Sequence, residues 1–290
     1  MTLEQLRIFV EVAERLHMTQ AAEHLNITQS AASASIAALE ARHGVRLFNR
    51  VGRGLELSQA GALFLGEAKG VLARAEAASG ALADLAGLKR GAVRIAASQT
   101  IASYWLPERL ARFAQLHPSI GLSLIVSNSL HVGRSVAQGD CDLGFVEGEV
   151  DEPHLVGRHV GGDRLSLYVG MGHPLAAATV VSVDDLRQAS WVWREPGSGT
   201  RSVLEGALTA RGLDPRILKI SLELPSNEAV LGAASSGGLI AGVSALAAAP
   251  HEAAGTLRQL PFELTTRRFT CLAHRDRRPS QAVAALLTVL

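Results

Sequence analysis

Four neighbouring side chains, Thr28, Gln29, Ser30 and Ser33, have the chemistry for hydrogen-bonded recognition. The Gln29 amide can pair with adenine through two hydrogen bonds, and its small neighbours would let a helix enter a DNA major groove. Thr28 can cap the start of that helix, because its hydroxyl accepts from free N–H groups. The pattern indicates either a DNA-reading helix or an ordinary surface helix of small residues.

Two arginines, Arg50 and Arg53, flank a predicted tight turn. Apolar and polar residues alternate on both sides of that turn, over 47–49 and 55–57, which predicts a short hairpin with the arginines near its tip. Such a wing can place the guanidinium groups against phosphates or in the adjacent minor groove.

A second polar set follows the predicted strands of the C-terminal two hundred residues. Ligands of open α/β sheets bind beyond the carboxyl ends of the strands, and helix N-termini there favour small anions. A single Ser or Thr at a helix start is more often only a cap, but several recurrences at matching strand ends favour one cleft. The candidate effector-binding residues are Ser98, Thr100, Asn128, Ser129, Glu147, Arg194, Ser198 and Thr200.

Glu147 is the exception in this set. Its carboxylate would repel an anion, unless it orients Arg194 or meets an amine of the ligand. The other residues offer donors to an oxyanion, so a small anionic effector is the expectation.

Motifs for catalysis are not found. The sequence has no nucleophile elbow, P-loop, dinucleotide-binding glycine pattern or paired metal ligands, and Gly197-Ser198-Gly199 lacks the elbow spacing. Cys141 and Cys271 are far apart and read as core thiols. We therefore expect no enzyme, no cofactor and no metal site.

Composition gives weaker limits. The 290 residues suffice for two or three domains, and the formal net charge is only +1. Any DNA affinity must come from the placement of arginines and from dimerisation rather than from overall charge. A leader and a membrane span are not evident, which favours the cytoplasm.

The elements that position the first polar set follow from helical spacing. An apolar stripe of Leu3, Leu6, Phe9, Val10 and Ala13 predicts a helix over 3–16. Thr19 is expected to cap a short helix over 20–25, and a tight turn leads to the reading helix, whose inward face is Ala32, Ile36 and Leu39. With the hairpin, residues 1–58 form a winged helix-turn-helix.

A proline-free, alanine-rich run over 59–88 predicts one long helix that Ser58 can cap. Two interleaved stripes, one of Leu65, Leu72, Ser79 and Ala86 and one of Ala68, Ala75 and Leu82, suit pairing with a second chain. Residues 59–90 are thus interpreted as a linker and dimerisation helix, with an internal core helix as the alternative.

Strands and helices alternate from residue 91 onward, which predicts a parallel sheet. Expected strands cover 93–97, 122–126, 143–146, 164–170, 191–193, 217–222, 239–243 and 269–273, and expected helices cover 107–116, 132–138, 199–211, 227–235 and 280–289. The chain should cross between lobes near Gly161-Gly162 and Thr265-Thr266. Lobe I is then about 91–162 with 267–290, and lobe II about 163–266.

Spaced motifs over residues 1–61 resemble the N-terminal domain of LysR-type transcriptional regulators. The motifs are Leu3-x-x-Leu6-x-x-Phe9-Val10, Thr19-x-Ala21-Ala22-x-x-Leu25, Thr28-Gln29-Ser30-Ala31-x-Ser33-x-x-Ile36-x-x-Leu39-Glu40, Leu47-Phe48-x-Arg50 and Leu57-Ser58-x-Ala60-Gly61. The resemblance implies an α/β protein: a winged helix-turn-helix, a linker helix and a two-lobed, periplasmic-binding-protein-like effector domain. It further implies double-stranded promoter DNA as a partner, a small effector, and a homodimer or homotetramer.

Segments 98–107, 143–148 and 194–201 resemble those of family members that sense sulfur oxyanions or small carboxylates. Two other functions stay open on the residues alone: a solute-binding protein for transport, and an enzyme acting on small anions. The N-terminal reader and the missing leader argue against the first, and the missing catalytic motifs against the second.

Overall fold

The computed structural model describes residues 1–51, 54–85, 91–148 and 150–290. These residues form two compact units, one in the N-terminal part of the chain together with Gln138–Asp140 and one made of the rest from Gly91 onward, and each is described by itself. Among the described helices, none is long and apolar enough to cross a membrane.

The N-terminal unit is a winged helix-turn-helix followed by a long helix. Its elements in order are α1 (Leu3–Arg15), α2 (Met18–His24), α3 (Gln29–His43), β1 (Phe48–Val51), β2 (Gly54–Leu57) and α4 (Gln59–Leu85). Phe9 is fully buried at the centre, with its ring centroid 5.6 Å from that of Phe48 and 4.9 Å from that of Phe64. Aromatic contacts therefore join α1 to both the wing and the long helix.

The helix starts show which polar residues act as caps. Thr28 caps α3, accepting from Ala31 N at 3.2 Å as predicted. The prediction for α2 was wrong, because His17 caps it by accepting from Gln20 N at 3.3 Å, and Thr19 already lies inside the helix. Leu3 was also misplaced, since it is 43% exposed at the first turn of α1.

The wing is an antiparallel pair that α3 holds in place. Phe48 pairs with Leu57 and Arg50 with Leu55. The carboxylate of Glu40 in α3 accepts from the backbone N–H of Leu47 at 2.7 Å. This contact fixes where the chain leaves α3 and enters the wing.

The long helix α4 begins as predicted, since Ser58 Oγ accepts from Gly61 N at 2.9 Å. Leu65 and Leu72, predicted to lie in a seam with a second chain, are half-buried against the core of their own unit. Among the described residues of α4, Leu63 is an exposed apolar residue at 74%. On a face different from that of Leu65 and Leu72, Val71 and Leu82 are 42% and 69% exposed. They lie eleven residues apart, which is close to three helical turns.

The C-terminal unit is built on one mixed sheet with helices around it. Its strands are β3 (Gly91–Ser98), β4 (Ile120–Ser127), β5 (Leu143–Glu147), β6 (Leu155–Gly170), β7 (Ser190–Arg194), β8 (Lys219–Leu224), β9 (Ile240–Ser244), β10 (Leu257–Gln259) and β11 (Thr265–His274). Its helices are α5 (Gln99–Tyr104), α6 (Leu106–Leu116), α7 (Ser129–Gln138), α8 (Val183–Gln188), α9 (Gly199–Ala210), α10 (Asn227–Ser235), α11 (Ala245–Ala253) and α12 (Gln281–Val289).

Two long strands divide this sheet into lobes. The strand order is β4-β3-β5-β11-β6-β9-β7-β8, with β10 beside β6. In lobe I, β3 pairs in parallel with β4 and β5, and in lobe II β7 pairs in parallel with β8 and β9. Strands β6 and β11 run antiparallel to each other through both lobes, with a register shift at Phe269/Thr270.

Each lobe has its own apolar core. Ile95, Phe113 and Phe145 belong to one in lobe I, and Leu167 and Trp191 to one in lobe II. Sequence patterning missed the first half of β6, where glycines and polar residues interrupt the alternation. It also placed β8 too early, because Pro215–Ile217 is a 3-10 turn.

Candidate functional site

The first turn of α3 presents its polar side chains to solvent. Gln29 and Ser30 are exposed, and Ser33 is half-buried. The Thr28 hydroxyl is used as the helix cap and lies 3.0 Å from Ser30 Oγ. Gln29 and Ser30 are thus exposed where a base edge would be met, and the Ser30 hydroxyl already bonds that of Thr28.

One of the two arginines predicted for the wing lies within the described residues. Arg50 is exposed on β1, opposite Leu55. Arg53, the second predicted wing contact, lies outside the described residues. An exposed guanidinium on a winged hairpin suits phosphate contact, which is independent of base sequence.

The predicted effector residues of the C-terminal unit are nearly all buried where the lobes meet. Asn128 is half-buried, whereas the others are at most 4% exposed: Ser98, Thr100, Ser129, Glu147, Arg194, Ser198 and Thr200. Burial of so many polar side chains is unusual and requires hydrogen-bonded partners.

Two threonines connect the lobes directly. Thr100 Oγ1 of α5 lies 3.5 Å from Thr200 Oγ1 of α9. The Asn227 amide donates to Thr100 Oγ1 at 3.0 Å, and Thr200 donates to Glu147 Oε1 at 3.2 Å. The threonines therefore join hydrogen-bonded groups from both lobes into one network.

An ion pair on the crossover strands anchors this network, and sequence reasoning missed it. Arg267 of β11 donates Nη2 to Asp163 Oδ2 of β6 at 2.9 Å, and its Nε also donates to Asp163. Its Nη1 donates to Thr200 at 2.9 Å and lies 3.5 Å from Glu147 Oε1. Burial alone lowers the pKa of Arg267, but the hydrogen bond to Asp163 and the charges of Glu147 and Asp163 outweigh it, so the pKa is raised.

Arg194 is held by a different set of groups. Its Nη1 donates to Gln99 Oε1 and to Asn227 Oδ1, both at 3.0 Å. Its Nε and Nη2 bond the two carboxylate oxygens of Glu195 at 2.7 and 3.0 Å. The suggestion that Glu147 orients Arg194 was therefore wrong, because Glu147 pairs with Arg267 instead.

A glycine turn brings lobe II against lobe I. A Cβ on Gly199 would lie 2.2 Å from Glu147 O and 2.5 Å from Ser129 Oγ, so no larger residue fits. Gly197 has a φ of +87°, which glycine adopts without strain. Leu130 N donates to Gly197 O at 3.3 Å, and the backbones of the two lobes are thereby joined.

Three of the predicted residues have local structural roles. The Ser198 hydroxyl caps α9 by accepting from Arg201 N at 3.4 Å. Asn128 Oδ1 accepts from His131 N at 3.0 Å, and Ser129 donates to Glu147 O at 3.3 Å. These bonds position the segments that surround Thr100 and Thr200.

A further bridge lies at the edge of the site. Tyr104 of lobe I donates its hydroxyl to Glu228 of lobe II at 2.9 Å, and Gln99 donates to the same carboxylate. Burial, together with the hydrogen bond to Glu228 and its charge, raises the pKa of Tyr104 to about 12. The phenol therefore stays protonated as a donor at neutral pH.

One group of residues has the composition of a metal site. Ligand atoms of His154, His274 and Asp276 lie within 4.8 Å of one another. The two imidazole rings are nearly parallel, at 4° with centroids 5.9 Å apart.

Comparison with known proteins identifies both units. The family described as "Bacterial regulatory helix-turn-helix protein, lysR family" matches residues 3–62, and that described as "LysR substrate binding domain" matches 86–290. The Escherichia coli (strain K12) protein named uncharacterized HTH-type transcriptional regulator YeiE is 32% identical over 288 residues, covering 99% of this chain and 96% of that protein.

Solved structures agree with the fold. Full-length CbnR complexed with its target DNA superposes with a TM-score of 0.70 at 23% identity, over 100% of this chain and 98% of that one. The regulatory domain of Synechocystis PCC6803 CcmR in complex with 2-PG gives 0.62 at 26% identity, over 69% and 95%. With family matches to both units and a relative similar over nearly its whole length, the chain belongs to the LysR family of transcriptional regulators.

Proposed function

We propose that this LysR-family regulator reads promoter DNA with α3 and its wing and responds to a small anionic effector bound between the two lobes. The observation that carries the effector proposal is the buried polar network through Thr100 and Thr200. Buried polar groups are tolerated when they are hydrogen-bonded, and a network shared by two lobes can exchange some of its bonds for bonds to a ligand.

DNA reading is supported by exposure and by residue type. Gln29 and Ser30 lie exposed at the start of α3, and Arg50 is exposed on the wing. The proposed DNA contacts are Thr28, Gln29, Ser30, Ser33, Arg50 and Arg53. The similar protein CbnR has been solved with its target DNA.

Effector binding is supported by the site between the lobes. The proposed contacts are Ser98, Thr100, Asn128 and Ser129 with Glu147 from lobe I, and Arg194, Ser198 and Thr200 from lobe II. A ligand there would compete with the interlobe hydrogen bonds and thereby bias the relative arrangement of the lobes. The similar CcmR regulatory domain has been solved with 2-PG.

Assembly and location complete the proposal. We infer that α4 pairs between chains through the face carrying Val71 and Leu82, giving a homodimer or homotetramer in the cytoplasm. Proposed boundaries are 1–58 for the DNA reader, 59–90 for the linker and 91–290 for the effector domain. Transport or catalysis as the main role would leave the N-terminal unit without a use.

The test is a gel-shift titration on the intergenic region beside the gene, with random DNA as the control. Specific retardation that changes on adding an anion supports the proposal, whereas equal retardation of random DNA contradicts it. Calorimetry with sulfite, sulfate, thiosulfate and small carboxylates then compares wild type with Thr100→Val. This variant should lose about tenfold or more in effector affinity, because valine has nearly the shape of threonine but lacks its buried hydroxyl.

A further inference from the structure

Two buried polar atoms at the interlobe site have no hydrogen-bond partner in the described structure. They are Glu147 Oε2 and Ser98 Oγ, on residues that are each 2% exposed. Both residues end neighbouring parallel strands, β5 and β3. A buried polar atom left unbonded is costly, so both atoms indicate places where a ligand would bond.

The two arginines nearest to Glu147 are already paired with other carboxylates. Arg267 donates its Nε and Nη2 to Asp163. Its Nη1 donates to Thr200 and lies 3.5 Å from Glu147 Oε1. Arg194 is bonded by the two oxygens of Glu195. The cluster thus contains two arginines and three carboxylates and carries a formal excess of one negative charge. Its members are Arg194, Arg267, Glu147, Asp163 and Glu195.

An anion that has no hydrogen-bond donor would be repelled by this excess negative charge. A hydroxyl, an ammonium or a protonated oxygen on the same molecule would offset this repulsion, because it can donate a hydrogen bond to Glu147 Oε2. The Ser98 hydroxyl, whose oxygen has no partner, can then donate to the anionic end of the ligand.

Resting on the proposed function, we propose that the effector is a small anion that also carries a hydrogen-bond donor, and that this donor bonds Glu147 Oε2. Glu147 acts as a selectivity residue that rejects anions of similar size without a donor. A purely structural Glu147 would influence folding but would not distinguish between such ligands.

Isosteric probe pairs test this directly. Hydrogen phosphate carries an O–H at neutral pH and sulfate does not, and glycolate carries a hydroxyl where propionate carries a methyl group. Calorimetry with both pairs is run on wild type, on Glu147→Gln and on Glu263→Gln, an exposed glutamate of the same unit used as the matched control.

Wild type and the Glu263→Gln control should prefer the donor-bearing member of at least one pair by about tenfold or more, the scale of a hydrogen bond to a charged group. In Glu147→Gln that preference should collapse, with weaker binding of the donor-bearing anion and stronger binding of its partner. If Glu147→Gln does not fold, the test is the ratio of wild-type affinities for the two members of each pair, and equal affinities overturn the proposal.

Two other results are distinguishable. Equal binding within each pair by wild type, or a ratio unchanged in Glu147→Gln, overturns the role of Glu147 while leaving an anionic effector in place. Binding of no anion by wild type, neither these probes nor the sulfite and carboxylate series, overturns the proposed effector class and this inference with it.

Discussion

Replacing Arg267 by methionine tests whether the buried ion pair holds the C-terminal unit together. Arg267 is 5% exposed and donates to Asp163 twice and to Thr200 once. Methionine retains an unbranched apolar stem but removes the charge and every donor. Asp163 and Glu147, with side chains each 2% exposed, would then be buried without their countercharge.

The expected magnitude follows from that burial. Removing one partner of a buried ion pair costs about 3–5 kcal/mol, because the remaining charge is uncompensated. For a unit of this size, each kcal/mol lowers the unfolding midpoint by about 2–4 °C. Arg267→Met should therefore unfold roughly 6–20 °C below wild type.

Tryptophan fluorescence reports this transition selectively, since all three tryptophans of the chain lie in the C-terminal unit. Arg268→Met is the matched control, being the next residue on the same strand but exposed, and should change stability by no more than about 0.5 kcal/mol. Adding Asp163→Asn to Arg267→Met should recover part of the loss. Identical midpoints for the Arg267 and Arg268 variants would refute the reasoning.

Three further predictions concern DNA binding and assembly. Gln29→Ala should cost about 1–3 kcal/mol of specific binding in gel shifts and spare random DNA; equal losses on both would exclude base reading. Arg50→Ala should weaken binding to all sequences and lower the salt-dependence slope by about one unit, so an unchanged slope would remove this arginine from the phosphate contacts. Leu82→Asp should dissociate the oligomer in sedimentation experiments, because it places a charge in an exposed apolar face; a variant that sediments like wild type would show that this face is not the interface.

Local pattern was sufficient for much of the fold. The 3.6-residue spacing of Ala32, Ile36 and Leu39 gave the inward face of α3, and all three are buried. The range 227–235 was predicted as a helix and is α10. Such features depend on neighbours within a few residues, and periodicity therefore reveals them.

Local pattern also indicated where polar groups gather, although not how they bond. Residues such as Thr100 and Thr200 follow strands whose carboxyl ends meet, and the structure brings their hydroxyls to 3.5 Å. The prediction that Thr100 and Thr200 share a cleft rested on strand direction alone. Whether they bind an effector stays a prediction.

The tertiary structure decided the partners. Arg267 and Asp163 lie 104 residues apart and meet only because β6 and β11 pair across both lobes. The glycines and polar residues in the first half of β6 concealed that strand from periodicity. Helical spacing gave the face of α4 that carries Leu72 but not what covers it, and the structure shows Leu72 half-buried against the core of its own unit. Whether a second chain covers the rest stays a prediction. A sequence specifies which side of an element is apolar, whereas the neighbour that covers it depends on contacts between segments far apart in the chain.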